Sequence, residues 1–424
     1  MKRQFLCLFL FINLLVSGCT TQVPATQVVP TDDVDFSKPV QPIENPTATN
    51  IPLLLTTEEI TPPTPEITPT DQLETKRFTY YFDQHKIDQY CLEFPQTYLY
   101  KPMDTGNRYL VSMSEQKNIY TVSPDDGILR PLFPSEFPNG HLFLNNVEFE
   151  NPWYAYMMVD SPSETGNWNL HVANLEENTN EIIANQGQYN SFSFHTYTSL
   201  DSDVLYFSTS TFDGKDILSS QLYAFDLASN KAELLIDSQD QQAFMSNITA
   251  SNGYIVIENA APKEPVRDLT LFDISNRTWV ELPQNYPASM PDMEFPYIIW
   301  KNNESYEQPT SFTIFNLETG ISRIAVVSGR ESQDISISDG FAITLASTGT
   351  DLSRNSIMLY PIENESVYAI QIGIEEVGAR DAYIANGNLI WSFTTLADAF
   401  EYSSFLCKVP LNTVMSEAVE GIED

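Results

Sequence analysis

The chain has 424 residues, of which 42% are hydrophobic and 12% aromatic, which is enough for a large packed core. It carries 21 Lys and Arg residues against 57 Asp and Glu residues, giving a formal net charge of -36 at pH 7. A surface this acidic repels phosphate backbones and anionic lipid headgroups, which argues against nucleic acid as a partner and against electrostatic docking on a membrane.

The N-terminus has the order of an export signal. Lys2 and Arg3 are basic, residues 5–16 are apolar apart from one asparagine, and small residues then precede Cys19. This order resembles the lipobox of bacterial lipoprotein signal peptides. The resemblance implies cleavage of residues 1–18 and attachment of diacylglycerol to the Cys19 thiol. The alternatives are an ordinary secretory signal and an uncleaved membrane anchor, but about a dozen apolar residues are too few to span a bilayer.

Residues 19–76 differ in composition from the rest of the chain. From Thr20 to Lys76 there are ten prolines, thirteen threonines, no glycine and one aromatic residue, Phe36. Such a segment has little apolar surface to bury, so it is predicted to be a disordered, extended stalk. A lipidated cysteine followed by a stalk predicts a domain held clear of a membrane on its extracytoplasmic side, at the cell surface or in the periplasm. A proline-rich recognition ligand is the alternative.

From residue 77 one strand pattern recurs seven times. It is a short alternating strand that closes, in most copies, on a polar or turn residue, and the copies end at Ser123, Asn174, Asp226, Asp273, Asn316, Pro361 and Val409. Successive ends are 43 to 52 residues apart, which is the period of a four-stranded propeller blade. More uniformly apolar segments, such as residues 341–345, precede most copies, and short edge-type strands follow most of them.

The pattern therefore predicts an all-β fold, a β-propeller of seven four-stranded blades over residues 77–412, followed by an acidic C-terminal tail at 413–424. The apolar strands are expected to be buried between neighbouring blades. An array of β-sandwiches is the rival architecture, but it would not need one motif seven times at a nearly constant period. Six and eight blades also remain open, because the first and last copies are the most degenerate.

The stretch Leu222 to Ile236, LYAFDLASNKAELLI, resembles the TolB-like and WD-repeat-like propellers of bacterial envelopes, and the resemblance covers most of residues 108–410. It implies a propeller and no particular chemistry, because neither the Trp-Asp signature of WD repeats nor the paired glycines of kelch repeats are at the expected places. No functional residue is carried over from that family.

Motifs for catalysis and metal binding are absent from the sequence. The four histidines are His85, His141, His171 and His195, and none lies at metal-ligand spacing from another histidine or a cysteine. The sequence also lacks a nucleophile elbow, a phosphate-binding loop and an EF-hand loop. We expect no metal and no cofactor. Paired carboxylates for glycosidase chemistry stay open, because their separation in space decides that case.

The candidate binding residues lie in the connections that one face of a propeller presents. Trp168 stands among turn residues, either as a lid on the core or as an exposed stacking surface for a sugar or a protein. Arginines near the channel mouth could hold a carboxylate or a sugar acid, or pair with neighbouring acids. The predicted binding residues are Trp168, Arg267, Tyr306, Arg330, Arg354, Arg380 and Tyr402.

Two cysteines, Cys91 and Cys407, remain once Cys7 leaves with the signal peptide and Cys19 is acylated. A propeller must join its two ends, and residues 78–82, Phe-Thr-Tyr-Tyr-Phe, are predicted to complete the last blade. That arrangement would bring Cys91 near Cys407. A disulfide and two separate buried thiols both fit the sequence.

Two classes of function remain. The first is a non-catalytic binding or scaffold protein that recognises a protein or a glycan through the loop face. The second is an extracytoplasmic enzyme acting on carbohydrate or peptide, with a site at the mouth of the central channel.

Overall fold

The computed structural model describes residues 76–421, apart from short gaps at 96, 114–118, 134–140, 162–166, 190, 192–195, 214–215, 239–243, 261–266, 285–286, 303–310, 327–329, 348–354, 365, 374–377 and 399–400. Cys19 and the predicted stalk lie outside the described residues. Among the helices that are described, none has the length and apolar character needed to span a bilayer.

Three elements precede the first blade: β1 (Arg77–Phe82), α1 (Gln84–Tyr90) and β2 (Cys91–Pro95). Helix α1 starts where it does because the Asp83 carboxylate accepts a hydrogen bond from the Lys86 backbone N–H, at 3.1 Å, which caps the first turn. Its Ile87 side chain is buried against the core.

Blades 1 to 3 are four-stranded antiparallel sheets. Blade 1 consists of β3 (Leu99–Asp104), β4 (Tyr109–Met113), β5 (Ile119–Val122) and β6 (Leu129–Phe133). Blade 2 consists of β7 (His141–Glu150), β8 (Trp153–Val159), β9 (Trp168–Asn174) and β10 (Thr179–Asn185), and the short helix α2 (Gln186–Tyr189) follows it. Blade 3 consists of β11 (Thr198–Asp201), β12 (Val204–Asp213), β13 (Asp216–Asp226) and β14 (Lys231–Asp237).

Blades 4 to 7 repeat this order. Blade 4 consists of β15 (Phe244–Ser251), β16 (Tyr254–Ala260), β17 (Arg267–Asp273) and β18 (Thr278–Val280), and blade 5 of β19 (Ala288–Glu294), β20 (Tyr297–Asn302), β21 (Ser311–Asn316) and β22 (Ser322–Val326). Blade 6 contains β23 (Arg330–Ser338), β24 (Phe341–Ser347), β25 (Asn355–Pro361) and β26 (Val367–Ile372), and blade 7 contains β27 (Gly378–Ala385), β28 (Asn388–Asp398) and β29 (Glu401–Pro410). The last elements are α3 (Leu411–Glu417) and β30 (Val419–Glu420).

The blades form a closed ring around a central channel. The first strand of each blade pairs on one side only, and these innermost strands contact one another in sequence. The contact of β27 with β3 closes the ring. The prediction of an all-β propeller with seven four-stranded blades is confirmed.

The recurring sequence motif is the third strand of every blade. Where this strand ends in aspartate or asparagine, the side chain accepts hydrogen bonds from the backbone of the following turn. The Asp226 carboxylate accepts from the Ser229 N–H at 2.6 Å, and the Asp273 carboxylate accepts from the Asn276 N–H at 3.0 Å. Asn174 and Asn316 each accept from two N–H groups. These Asx turns lead the third strand into the fourth in blades 2, 3, 4 and 5.

The core consists of apolar clusters between neighbouring blades. The second strands are buried on both faces, as predicted, and several carry the largest buried side chains, such as Trp300 in β20 and Trp391 in β28. One cluster joins blades 6 and 7 and includes Phe82, Ile87 and Val414 from the two chain ends. The elements that precede blade 1 and follow blade 7 therefore contribute to the core.

The structure corrects the prediction of the closing strand. Blade 7 is completed by β2, which pairs antiparallel with β29, and residues 78–82 lie elsewhere. They belong to β1, which adds a fifth, parallel strand to the outer edge of blade 6, and β30 adds a sixth. The apolar, aromatic pattern of residues 78–82 correctly indicated a strand, but a strand pattern does not encode which edge the strand joins. We call β1, α1, β2, β29, α3 and β30 the seam.

Part of the predicted acidic tail is ordered in the seam. Helix α3 spans Leu411–Glu417, with Val414 fully buried, and β30 pairs with β1. Leu411, Val414 and Met415 of α3 pack on the core, whereas Val419 of β30 is exposed.

Cys91 and Cys407 form a disulfide bond within the seam. They lie directly opposite each other on β2 and β29, with their Cα atoms 4.1 Å apart. The bond joins residues 316 positions apart and ties the first strand of the ring to the last.

Candidate functional site

The central channel contains a cavity of about 550 Å³. It is lined by residues of the innermost strands of blades 1, 2, 5, 6 and 7 and by part of β24. The polar residues that line it include Lys101, Glu148, Asp292, Thr344, Asp381 and Tyr383. We call these six residues and the cavity the channel pocket.

Bulges in the innermost strands determine how these residues are presented. The register of β3 shifts between Tyr100 and Met103, and that of β27 shifts between Arg380 and Tyr383. Lys101 and Asp381 lie at these bulges with φ of 42° and 48°, in the left-handed region that non-glycine residues rarely adopt. A bulge redirects side chains, and such backbone strain is concentrated at functional sites.

Two of the carboxylates are held by backbone groups. Asp292 accepts hydrogen bonds from the Ile337 N–H at 2.8 Å, the Met293 N–H at 2.9 Å and the Thr249 hydroxyl at 3.3 Å. Asp381 accepts from the Lys101 N–H at 3.0 Å. These bonds link blades 4, 5 and 6 and blades 7 and 1, so both carboxylates position the inner strands. Burial raises the pKa of Asp292 despite its hydrogen bonds.

The Glu148 carboxyl differs from those of Asp292 and Asp381 because no described backbone N–H holds it. Within the part of the chain that the structure describes, no group donates a hydrogen bond to it. Its side chain is half-buried because it borders the cavity, while the blades around it exclude most solvent. Burial raises the pKa of Glu148 to about 7, the positive charge of Lys101 opposes this, and the negative charge of Asp292 adds to it. Glu148 therefore changes its charge near neutral pH.

A buried hydroxyl of the channel pocket is also unpaired. The Thr344 side chain on β24 is buried, and its Oγ1 atom has no hydrogen-bond partner within the described part of the chain. Buried hydroxyls in folded proteins are nearly always paired, so an unpaired one beside a cavity is suited to a ligand or a bound water.

Two aromatic contacts join blade 7 to the start of blade 1. The rings of Tyr98 and Tyr402 are stacked with centroids 4.2 Å apart, and the Arg380 guanidinium lies over the Tyr100 ring at 5.4 Å. Tyr98 precedes β3 and Tyr402 is the second residue of β29, so both lie on the side of the ring with the second-to-third connections. Tyr100 and Arg380 directly precede Lys101 and Asp381 of the channel pocket in the sequence.

The seven predicted binding residues have different outcomes. Arg380 and Tyr402 both lie in blade 7, where Arg380 contacts the Tyr100 ring and Tyr402 contacts the Tyr98 ring. Arg267 and Arg330 begin β17 and β23, and their side chains lie outside the described residues, as do Tyr306 and Arg354 altogether.

The exposed stacking role considered for Trp168 is wrong. Trp168 begins β9, is fully buried in the core of blades 2 and 3, and donates a hydrogen bond from Nε1 to the Ser191 carbonyl at 2.7 Å. It is the lid on the core, and its turn-rich sequence neighbours concealed this because the strand starts at the tryptophan itself.

The residues of the channel pocket were not predicted from the sequence. They lie on strands, whereas the predicted binding residues were assigned to the connections between strands. A signal was present: Glu148 and Asp292 each stand two residues before the end of an innermost strand that ends in Glu150 or Glu294. An acid at that position faces the channel, where a side chain from another blade can meet it.

The comparisons with known proteins identify the architecture. No family model matches the sequence, and no curated protein matches it. A solved structure from a study of two prolyl endopeptidases has 11% identity and a TM-score of 0.57, and the alignment covers 77% of this chain and 49% of that one. The chain thus spans about half the length of that structure. At this identity the likeness shows the propeller fold alone.

Two further structures have a TM-score of 0.49 and 9% identity. One is an oligogalacturonate lyase from Vibrio parahaemolyticus, with 71% of this chain and 86% of that chain covered. The other is an oligogalacturonate lyase in complex with manganese, with 76% and 99% covered. The TolB-like family assignment stays a prediction.

Proposed function

We propose that this protein is an extracytoplasmic glycan-binding lipoprotein whose channel pocket holds the sugar. The observation that carries the proposal is the presence of Glu148 and Lys101 in one cavity. Sugar hydroxyls both donate and accept hydrogen bonds, so they complement a pocket that offers a carboxyl acceptor and an ammonium donor.

The shape of the pocket also favours a small polar ligand over a protein surface. A cavity of about 550 Å³ lies within the 300–1,000 Å³ typical of small-molecule sites. A protein partner would dock on the second-to-third connections, and much of those connections lies outside the described residues.

Binding is tested by isothermal titration calorimetry with soluble cello-, chito- and galacturonate oligosaccharides. We expect at least one of these series to bind, and Glu148→Gln and Lys101→Met each to lower the affinity about tenfold or more, because each removes a charged hydrogen-bonding group. Glu318→Gln, at an exposed turn of blade 5, is the matched control and should bind as the wild type does. Failure of all three series to bind would refute the proposal.

A glycan hydrolase or lyase at the same pocket is the second candidate. It is favoured by the raised pKa of Glu148, because a carboxyl that titrates near pH 7 can act as a general acid or base at neutral pH. The same incubations distinguish the two candidates. Shortened or unsaturated products that disappear with Glu148→Gln would establish an enzyme, whereas recovery of intact oligosaccharide supports binding alone.

We further propose that diacylglycerol on Cys19 holds the domain at the membrane through residues 20–76. The order of basic, apolar and small residues before Cys19 supports this. Cys19→Ala should move the protein from the membrane fraction to the soluble fraction. Retention of the full-length variant in the membrane fraction would contradict lipid anchoring.

A further inference from the structure

A second cavity lies on the outer flank of the ring, between blades 3 and 4. Its volume is about 370 Å³. Its walls are Ile236 and Ser238 from the end of blade 3 and residues of blade 4, namely Met245, Asn259, Thr270, Trp279, Val280 and Glu281. We call it the flank cleft. None of the residues that line it belongs to the channel pocket.

The flank cleft begins where the apolar packing of the two blades stops. Deeper in the interface, Ile255 and Ile257 of β16 are fully buried in the cluster that joins blades 3 and 4. Asn259 is the next residue on the same face of β16, and it lines the cleft instead of the core. Along this face of β16, the apolar residues are thus followed by asparagine at position 259, where the two blades separate.

Trp279 supplies an open aromatic surface at this cleft. It lies on the outermost strand, β18, with 49% of its surface exposed, and packs at 5.1 Å on Phe272 with a tilted geometry. The chain has five tryptophans, all among the described residues. Trp168, Trp300 and Trp391 are buried, and Trp153 is half-buried and donates to the Asp203 carboxylate at 2.9 Å. Trp279 is therefore the one with a large exposed face.

Neutral polar groups stand beside that aromatic surface. The Asn259 amide donates a hydrogen bond to the Thr270 hydroxyl at 3.0 Å, which fixes both side chains. An amide has a second N–H and a carbonyl oxygen, and a threonine hydroxyl can still donate, so the pair retains capacity for a ligand. Glu281 is exposed at the rim.

The neighbouring strand edge is not available to a peptide. Strand β18 covers only Leu271 to Asp273 of β17. Beyond it, the Gln284 side chain accepts from the Leu269 N–H at 2.8 Å and donates to the Leu269 carbonyl at 2.6 Å. This side chain takes the hydrogen bonds that an added strand would make, so addition of a peptide strand to β17 is blocked there.

We propose that the flank cleft binds a neutral sugar residue, stacked on Trp279 with its hydroxyls bonded to Asn259 and Thr270. An aromatic face next to neutral donors and acceptors complements a pyranose, which has apolar C–H faces and a polar rim. The net charge of -36 and the nearby Glu281 disfavour acidic sugars. This site goes beyond the channel pocket.

The emission of Trp279 provides the test. Cellobiose, N,N′-diacetylchitobiose and maltose are titrated into the wild-type protein while tryptophan fluorescence is recorded, with digalacturonate as the acidic comparison. We expect a saturable change with at least one neutral disaccharide and none with digalacturonate. Trp279→Phe should remove the fluorescence change but keep binding within about fivefold by calorimetry, and Trp279→Ala should lower affinity at least about tenfold.

Trp153→Phe is the matched control, and it should retain the fluorescence change because it removes a tryptophan outside the cleft. The proposal is overturned if no neutral disaccharide changes the emission, if digalacturonate binds equally well, or if Trp279→Ala binds as tightly as the wild type. Glu148→Gln and Lys101→Met report on the channel pocket, so failure of one site is distinguished from failure of the other.

Discussion

The seam and the channel pocket are both built from β-strands, but their side chains have opposite effects on stability. In the seam, Phe82, Ile87 and Val414 are almost fully buried in one apolar cluster, and a disulfide joins β2 to β29. In the channel pocket, strands present charged groups to a cavity, and two residues have left-handed backbone. The first region contributes stability, whereas the second contains features that cost stability.

This contrast shows that a propeller can accommodate destabilising functional groups on its innermost strands. An unsupported carboxyl and strained bulges persist only where the surrounding structure holds them. The innermost strands are held by seven packed blades, and the ring keeps its shape because the seam joins its ends.

Removal of the disulfide should have the largest effect. The bond joins residues 316 positions apart, and for a loop of that length the chain-entropy model gives roughly 6 kcal/mol. The double variant Cys91→Ala/Cys407→Ala should lose about that much free energy of unfolding, measured with guanidinium chloride under oxidising conditions. Wild-type protein unfolded with a reductant should match it. A loss below about 1 kcal/mol would mean that the seam does not depend on the covalent bond.

Truncation of Phe82 should have the next largest effect. Its ring is fully buried and lies 4.9 Å from the Trp391 ring, edge to face, so it joins β1 to blade 7. Phe82→Ala should destabilise the protein by about 3–4 kcal/mol in the same unfolding measurement. The adjacent Tyr81 is 60% exposed, and Tyr81→Ala is the control, with an expected loss below about 0.5 kcal/mol. Equal effects of the two changes would place β1 outside the core.

The channel pocket should respond in the opposite direction. Because the pKa of Glu148 is about 7 in the folded protein and its ordinary value is 4.5, the unfolded chain releases the proton more readily. Stability from this group is therefore full below pH 4.5, declines as the pH rises to about 7, and is lost above that. Glu148→Gln should raise the free energy of unfolding at pH 8 by roughly 1–3 kcal/mol and have little effect at pH 4.

Unfolding of Glu148→Gln at both pH values checks this, with Glu318→Gln as the control that should change stability at neither pH. If Glu148→Gln destabilises the protein at pH 8, the carboxylate has a stabilising partner and the description of the channel pocket is wrong.

The exposed ion pair of the seam should have the smallest effect. The Lys76 Nζ atom lies 4.0 Å from Oε1 of Glu420, and the two side chains are 67% and 63% exposed. Solvent and salt screen such a pair, so Lys76→Ala should change stability by less than about 0.5 kcal/mol. A change above 1 kcal/mol, or one that salt abolishes, would show that charge, and not apolar packing, holds β1 and β30 together.

Local sequence patterns predicted much of the fold. The third strands were found because their alternating residues and terminal Asx side chains act within one hairpin, and the second strands because burial on both faces requires an apolar run. Arg380 and Tyr402 were predicted as binding residues because their sequence neighbourhoods indicated connections on the loop face, and that role stays a prediction. Trp168 was misjudged because a strand start looks like a turn when its neighbours are glycine and asparagine.

The sequence by itself determined the strands, their order and the period of the ring, since each depends on residues within about fifty positions of one another. Only the tertiary structure decided that β2, and not β1, closes blade 7, because both have strand patterns and the choice depends on edges more than 280 residues away. It also decided the channel pocket. Glu148, Asp292 and Lys101 belong to three blades, and no local pattern records that ring closure turns their strands toward the same cavity.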